Sequence, residues 1–311
     1  MKSDLGNLIS QMCDRTIEGS NNETVAYNAY RKIDEIKDEN LLPILFDIVD
    51  NELDENKRDK AYYIISKIAL IKSDSKSLNF LLQRLNKEKN KVIIENLLNI
   101  ISSFEKPNET DLGNIFSFLY NKSKTLRYRA IQALKNCNSN ECEDKLVYIL
   151  ENSTNHYDLL YTLQTLFSSG SQRSLSKIKE FINHSKQEIS ASALGATYNI
   201  AGEKELPLYI EQLKKGKNKF TALEGVVNFG NNEVIPNVVK RIKELISKKR
   251  NIEVVGLYGY TELIIAMNFL IKFPEDKAIS EVYYLLEAKK DFLWESEKEW
   301  LKNNTINKGN H

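Results

Sequence analysis

The stretch LRYRAIQALKN, residues Leu126 to Asn136, is the clearest copy of the pattern that predicts the fold class of the chain. Its apolar residues Leu126, Ala130 and Leu134 lie four positions apart, so that they share one face of a helix. A β-strand would need an apolar residue at every second position, and no window of the chain keeps up that alternation. The stretch therefore predicts an amphipathic α-helix.

The same kind of stretch, a short apolar helix with one anchor residue, returns along the whole chain. The anchors are Ala26, Ala61, Ile94, Ala130, Leu160, Ala193, Leu223 and Ile264. Successive anchors are separated by 30 to 41 residues, which is the period of helical repeats. The longest interval contains Ser247 to Gly259, where a run of Lys and Arg and two glycines indicate a long loop.

A second set of apolar stretches lies between the anchors and predicts the first helix of each pair. These stretches are Leu41 to Val49, Ser77 to Leu85, Asp111 to Tyr120, Asp144 to Leu150, Leu175 to Ile182, Leu206 to Leu213 and Val234 to Ile246. Pro43, Pro207 and Pro236 lie at the second or third residue of their stretches, where a helix loses least from a missing amide donor. The sequence thus predicts first and second helices that alternate in a continuous stack.

Residues 126–136 also resemble the second helix of a HEAT-type repeat, because basic residues precede an alanine and an apolar pair follows four residues on. Looser versions occur at residues 26–37, 60–70 and 190–201. The resemblance extends from about Val25 to about Phe273. It implies an all-α, right-handed α-solenoid of about eight HEAT-like helix pairs with a C-terminal capping helix. It also implies a binding surface, although solenoids of this kind serve many unrelated partners.

A solenoid lengthens without dividing into domains, since each repeat contacts only its neighbours. We therefore expect a single domain over residues 1–302, in which residues 275–302 form the C-terminal cap. The last residues, 303–311, are polar and are expected to be a disordered tail.

The expected cap has a distinctive composition. Glu295, Glu297 and Glu299 lie beside two tryptophans, which fits the polar outer side that a terminal repeat needs. The alternative is a docking site centred on Trp294 and Trp300, because tryptophan is enriched among the residues that dominate binding energies.

Sequence features that would indicate catalysis, a cofactor or a metal are scarce. The chain has no GxxxxGK[ST] phosphate loop and no HExxH metal motif. Its three cysteines, Cys13, Cys137 and Cys142, are odd in number and favour a reducing, cytoplasmic location over a disulfide framework. Cys137 and Cys142 lack further ligands at zinc spacing. We expect no cofactor, no metal, and a binding protein rather than an enzyme.

The sequence also argues against a membrane protein. The longest apolar stretch, Leu257 to Phe273, is interrupted by Glu262, Asn268 and Lys272 and therefore predicts a buried helix. The first residues contain Asp4 and no long apolar run, which does not fit a secretory signal.

Polar positions beside the anchors are candidates for a partner-binding face, because second helices line the inner curve of such a stack. The candidates are Asn28, Tyr63, Asn96, Arg129, Gln132 and Asn199. Hydrogen-bonding side chains with an aromatic and an arginine are typical of a protein-recognition surface. The alternative is an ordinary hydrated helix face.

Charge is distributed unevenly, although the formal net charge is only +1. An acidic patch comprises Asp50, Glu52, Asp54, Glu55 and Asp59, and basic residues concentrate between Glu203 and Arg250. Such an asymmetry favours a basic protein partner over a uniform polyanion such as nucleic acid. The alternative is that the acidic residues belong to polar turns.

These observations predict a non-catalytic protein-binding solenoid. A more specific hypothesis is an immunity-type protein that neutralises a toxin or effector by clasping it. The main alternative is a HEAT-like DNA glycosylase or another nucleic-acid-binding protein, which would need a broadly positive concave face. A scaffold that joins two proteins is a third possibility and would need two separate binding patches. The oligomeric state is not predicted.

Overall fold

The structure is a computed structural model that describes residues 2–14, 16, 24–71, 74–256 and 259–304. Within these residues all regular elements are helices, and two isolated β-bridges join Lys106 to Cys137 and Val255 to Thr261. The all-α prediction is confirmed. Residues 305–311, most of the predicted disordered tail, lie outside the described residues.

The contacts divide the chain into two compact units, unit 1 from Met1 to Lys177 and unit 2 from Ile178 to His311. The predicted single domain over residues 1–302 therefore stays a prediction. The boundary along the chain falls within helix α11, Gln172–Lys179.

Unit 1 consists of helix pairs in chain order. Its helices are α1 Lys2–Met12, α2 Val25–Glu35, α3 Leu42–Asn51, α4 Glu55–Ala69, α5 Ser75–Arg84, α6 Lys91–Ile101, α7 Gly113–Phe116, α8 Lys124–Ala133, α9 Asn140–Asn152 and α10 His156–Ser169, with a 3-10 turn at Glu39–Leu41. The odd-numbered helices are the first helices of their pairs, and the even-numbered ones are the second helices. All the predicted anchors of this unit lie on second helices.

Unit 2 continues the same alternation. Its helices are α12 Gln187–Ala201, α13 Leu206–Lys215, α14 Lys219–Phe229, α15 Ile235–Leu245, α16 Glu262–Leu270, α17 Lys277–Ala288 and α18 Glu295–Asn303, with 3-10 turns at Gly202–Glu205, Asn232–Val234 and Lys290–Phe292. Pro43, Pro207 and Pro236 each occupy the first turn of their helix, as predicted.

Side-chain caps explain where several second helices begin. Asp54 accepts hydrogen bonds from the backbone amides of Asn56 and Lys57, and α4 starts at the next residue. Asn155 does the same at the start of α10. These bonds satisfy amides at the helix start that have no partner within the helix.

Each pair in unit 1 buries its apolar side against the pairs before and after it. Helix α4 contacts α6, α6 contacts α8, and α8 contacts α10, while each of these second helices also packs on its own first helix. The anchors Ala61 and Ala130 are fully buried, and Ala26 and Leu160 are half-buried. The packing between successive pairs confirms the predicted solenoid stacking within this unit.

Unit 2 is packed in the same way, with α14 against α13 and α16, and with α17 and α18 against α15 and α16. Helices α13 and α14 approach each other closely at Gly225 on α14, where an added Cβ would lie 2.5 Å from a ring carbon of the fully buried Tyr209 on α13. Glycine at this position therefore lets the two helices of the pair come together.

One predicted helix of unit 1 is shorter than expected. The helix predicted over Asp111 to Tyr120 is only the single turn α7, after which the chain continues in turns closed by bonds from Phe118 to Ile115 and from Leu119 to Phe116. Ile115 and Leu119 are nevertheless buried, so tighter turns place the same apolar residues in the core.

The C-terminal helices α17 and α18 pack on the last pair, but Glu297 does not lie on their polar side as expected. It is 2% exposed, pairs with both terminal nitrogens of Arg250 and accepts a hydrogen bond from Thr261. Arg250 also stacks on Trp294, and the indole nitrogen of Trp300 donates to Asn268. Both tryptophans thus have contacts within unit 2, and a docking role for them stays a prediction.

A buried lysine links two loops of unit 1, the one between α6 and α7 and the one after α8. Lys106 lies between α6 and α7 and is 1% exposed, and its ammonium donates to the carbonyls of Phe104 and Lys135 at 2.7 and 2.8 Å. Its backbone amide donates to the carbonyl of Asn136, and its carbonyl accepts from the amide of Asn138, both beyond α8. Burial lowers the pKa of Lys106 to about 8, because the charged form loses its hydration.

We expect substitution of two helical glycines by alanine to change stability in opposite directions. Gly225→Ala places a methyl group against the Tyr209 ring and is expected to destabilise the protein by about 1–2 kcal/mol. Gly6→Ala, in α1, has no atom within 4 Å of its new Cβ and is expected to stabilise the protein by about 0.5–1 kcal/mol. Urea unfolding measures both, and unchanged or increased stability of Gly225→Ala would contradict the packing at Gly225.

We expect the stability contributed by Lys106 to rise with pH. Between pH 8 and about 10.4 the unfolded chain holds a proton that the folded chain has released, so the free energy of unfolding increases over this range. Relative to Lys106→Met, the wild type should gain about 3 kcal/mol between pH 7 and pH 10.5. Urea midpoints of the two proteins at both pH values test this, and a constant difference would show that Lys106 titrates normally.

Candidate functional site

The second helices of unit 1 present a continuous polar surface, which we call the second-helix face. It comprises the exposed sides of α2, α4, α6, α8 and α10, which pack on one another in chain order. Of the predicted partner-binding residues, Asn28, Asn96 and Arg129 are exposed on it, and Tyr63 and Gln132 are half-buried. Asn199 is exposed on α12 of unit 2, so the structure does not place it with the other five.

Side-chain contacts connect the second-helix face from one helix to the next. Tyr30 on α2 meets Tyr63 on α4 edge to face, with ring centroids 5.3 Å apart. Asn96 on α6 donates to Asp59 on α4 at 2.9 Å. Because each contact spans two repeats, the face is a fixed surface rather than a set of independent side chains.

Arg129 is held on this face by two amide side chains. One terminal nitrogen of its guanidinium donates to Asn99 on α6 at 3.1 Å and to Gln132 on α8 at 3.3 Å. Both acceptors are neutral, so these bonds orient the guanidinium without cancelling its charge. An exposed guanidinium held in this way is well placed to bind a carboxylate of a partner.

Three tyrosines form a cluster that the sequence analysis missed. The tyrosine cluster is Tyr128 on α8 with Tyr157 and Tyr161 on α10, and its ring centroids are 5.3 to 6.1 Å apart. Tyr157 is 50% exposed, and the other two are half-buried. The spacing of Tyr157 and Tyr161 predicts a shared helix face, but their contact with Tyr128 depends on how α8 packs on α10.

An ion pair beneath the tyrosine cluster fixes its position. Arg127 donates to the buried carboxylate of Asp158 at 2.8 Å and to the carbonyl of Asn121 at 2.9 Å. The same guanidinium lies 5.4 Å from the centre of the Tyr128 ring, within the range of a cation–π contact. The cluster is therefore held in place by contacts within unit 1.

The acidic patch is largely engaged within unit 1. Asp50 pairs with Arg84 at 2.7 Å, Glu55 accepts from Asn90 at 2.6 Å, and Asp59 pairs with Lys60 at 3.0 Å. Asp54 caps α4, and the backbone amide of Asp54 donates a hydrogen bond to the carboxylate of Glu52. A basic partner would have to compete with these contacts, and the use of the patch in binding stays a prediction.

A second ion pair, between Arg58 and Glu88, joins two repeats next to the patch. Arg58 donates to both oxygens of Glu88 at 2.9 and 2.8 Å, and the phenol of Tyr62 donates to the same carboxylate at 2.6 Å. Burial alone would raise the pKa of Glu88, but the hydrogen bonds from Arg58 and Tyr62 outweigh it and hold that pKa below its usual value.

The described residues contain no group of three or more His, Cys, Asp or Glu side chains that could hold a metal ion. None of the described helices has both the length and the apolar character that crossing a bilayer requires. Cys137 and Cys142 are free and buried beside Lys106.

We expect Glu88→Gln to reduce the free energy of unfolding by about 2 kcal/mol at pH 7, because the charged hydrogen bonds from Arg58 lose their partner. The pKa of Glu88 is lowered by folding, so its contribution is present above the unfolded pKa and is lost as the pH falls through the folded pKa. The difference between wild type and variant should therefore shrink below about pH 4. A difference that stays constant from pH 7 to pH 3 would contradict this assignment.

No protein-family model matches the chain, and no curated protein matches it. Among solved structures, a chain in the complex of CpcE and CpcF of phycocyanin lyase from Nostoc sp. PCC7120 is similar with a TM-score of 0.46 and 13% sequence identity. The similarity covers 80% of this chain and 94% of that chain.

Proposed function

We propose that this HEAT-like stack of helix pairs binds a protein partner without catalysing a reaction, and that the second-helix face of unit 1 is the binding surface. The observation that carries the proposal is the tyrosine cluster, supported by the ion pair of Arg127 with Asp158 and flanked by Arg129. Tyrosine and arginine are the residue types that most often dominate the energy of protein interfaces.

The tyrosine cluster has the physical properties of a binding anchor. Tyrosine offers a large contact area with few rotatable bonds, so little conformational entropy is lost when a partner covers it. Tyr157 exposes half of its surface, and the ring contacts with Tyr128 and Tyr161 already restrict its rotation. A partner therefore gains apolar contact without having to order a mobile side chain.

Arg129 and the acidic patch extend the proposed surface with charges of both signs. Arg129 carries a positive charge that its two amide partners leave available. Asp59 belongs to the acidic patch and also contacts Asn96, so the patch is continuous with the second-helix face. A partner with a basic region next to an acidic one would be complementary to this arrangement.

Within this proposal, the specific role that we favour is neutralisation: the protein clasps a toxin or effector and blocks it. The acidic patch supports this role, because Glu52, Asp54 and Glu55 accept hydrogen bonds from neutral donors and so keep their negative charge. Clustered negative charge speeds encounter with a basic protein. A cytoplasmic location belongs to the same proposal. It would place the chain where an intracellular toxin acts.

The alternative of nucleic-acid binding is less well supported by the charges of unit 2. In the basic segment between Glu203 and Arg250, Lys219 pairs with Glu244 at 2.7 Å, and Arg241 pairs with Glu262 at 2.6 Å. Arg250 is paired with the buried Glu297. Each of these three cations would have to give up its carboxylate before it could neutralise a phosphate. We therefore favour a protein partner over nucleic acid.

We expect Tyr157→Ala to weaken partner binding about 30-fold, as loss of an interface anchor worth 2 kcal/mol would do. Tyr284→Ala is the matched control, because Tyr284 is 70% exposed on α17 of unit 2 and lies outside the proposed surface. Tagged wild type and both variants are used to capture complexes from the native host with and without nuclease. The bound proteins are then quantified by mass spectrometry.

Three outcomes of this capture are decisive. A protein that is retained by wild type and Tyr284→Ala, is lost with Tyr157→Ala and survives nuclease treatment supports the proposal. Loss of every bound protein on nuclease treatment supports the nucleic-acid alternative, and equal retention by Tyr157→Ala excludes the tyrosine cluster as the anchor. For the neutralising role, the captured protein should arrest growth when expressed alone and allow growth when co-expressed with this chain.

A further inference from the structure

A second candidate site lies on the first helices of unit 1, away from the residues of the second-helix face. It is an open cavity of about 550 Å³, lined by Tyr120, Glu141, Asp144, Lys145 and Tyr148. The volume falls within the range of small-ligand pockets. The tyrosine and acidic residues that line it are not used by the proposed function.

The register of α9 explains why four of these side chains come together. Glu141, Asp144, Lys145 and Tyr148 occupy positions i, i+3, i+4 and i+7 of that helix, so they share one face. The turns after α7 bring Tyr120 onto the same face from the preceding pair. Neighbouring repeats thus contribute one tyrosine each.

Tyr120 and Tyr148 are exposed residues whose rings form a corner. Tyr120 and Tyr148 are 57% and 51% exposed, their ring centroids are 6.0 Å apart, and their planes are nearly perpendicular at 87°. The face of an aromatic ring carries partial negative charge and attracts a cation placed within about 6 Å. Two faces at right angles can contact one cation from two sides.

The charged groups around this corner favour a cation over an anion. Glu141 and Asp144 are both exposed acidic residues, although Asp144 is also paired with Arg173 at 2.6 Å. The lining cation, Lys145, is directed to the ring of Phe116, with its nitrogen 5.8 Å from the ring centre. Glu141 therefore remains as a carboxylate that can face an incoming positive charge.

We propose that this cavity is a binding site for an organic cation, and that its occupant is a lysine or arginine side chain from a basic segment of a partner protein. The cavity is open rather than enclosed, so it suits a side chain presented by another surface. An ammonium or guanidinium group would contact the two ring faces while its charge meets Glu141. This site does not depend on the second-helix face.

The test compares cations with uncharged molecules of the same shape, using the full chain with isotope-labelled tyrosine. Choline is compared with 3,3-dimethylbutan-1-ol, and a blocked Gly-Lys-Gly peptide is compared with the same peptide containing norleucine. We expect the resonances of Tyr120 and Tyr148 to shift saturably with choline and the lysine peptide, and several-fold more weakly with the two neutral molecules. The lysine peptide should bind at least as tightly as choline.

Variants separate the roles of the rings and the carboxylate. Tyr148→Leu should weaken binding of the lysine peptide about two- to fivefold, the amount expected for an exposed cation–π contact, whereas Tyr148→Phe should keep the ring face and the affinity. Glu141→Gln should weaken binding of the cations and leave the neutral molecules unaffected. Tyr157→Ala, which tests the second-helix face, should leave binding here unchanged.

Equal affinity for charged and neutral probes, or no saturable shift with any cation, would overturn the cation site. Unchanged binding with Tyr148→Leu would overturn the role of the tyrosine corner. Binding of choline without binding of the lysine peptide would overturn the assignment to a partner's side chain. Thermal unfolding of each variant confirms that these comparisons are made between folded proteins.

Discussion

The structure depends on one constraint: the apolar side of each helix pair is buried only by the neighbouring pairs. In unit 1 the second helices α4, α6, α8 and α10 contact one another in order, and the fully buried anchors Ala61 and Ala130 lie within this stack. A single pair would leave these surfaces in water. Stacking therefore fixes the order of the helices, and with it the order of the side chains that remain exposed.

Apolar burial is not directional, so polar contacts add specificity to how the pairs are aligned. Arg58 and Arg127 each lie four residues after the cap of a second helix, and each binds a carboxylate of the next pair and a carbonyl of the preceding turn. The same geometry at two places indicates a shared rule: an arginine early in the second helix joins two repeats. The acidic partners are Glu88 and Asp158, which lie outside the acidic patch recognised in the sequence.

The exposed residues left by this packing form two chemically different surfaces in unit 1. On the second helices, the tyrosines suit an apolar surface of a partner, and the guanidinium of Arg129, which is held by two amide side chains, suits a carboxylate. On α9, two tyrosines and a carboxylate suit a cation. Both sites join side chains from adjacent repeats, so each exists only when the repeats are stacked. A repeat protein can thus carry more than one recognition surface on a single core, as the scaffold hypothesis requires.

Except for α1, which it did not predict, and α7, which it predicted as a longer helix, the sequence alone specified the helices, their pairing along the chain and the anchors, because helical periodicity and the prolines in first turns are local properties. It also placed five of the six predicted binding residues on the second helices of one unit. It did not predict the tyrosine cluster, the ion pair of Arg58 with Glu88 or the buried ammonium of Lys106.

Each of these features joins residues about thirty positions apart, as the pair of Arg58 and Glu88 illustrates. Their distances are set by how one helix pair packs on the next. Local spacing shows which residues share a face of a helix, but only the tertiary structure decides which faces meet, because burial and hydrogen bonding between repeats are properties of the packed chain.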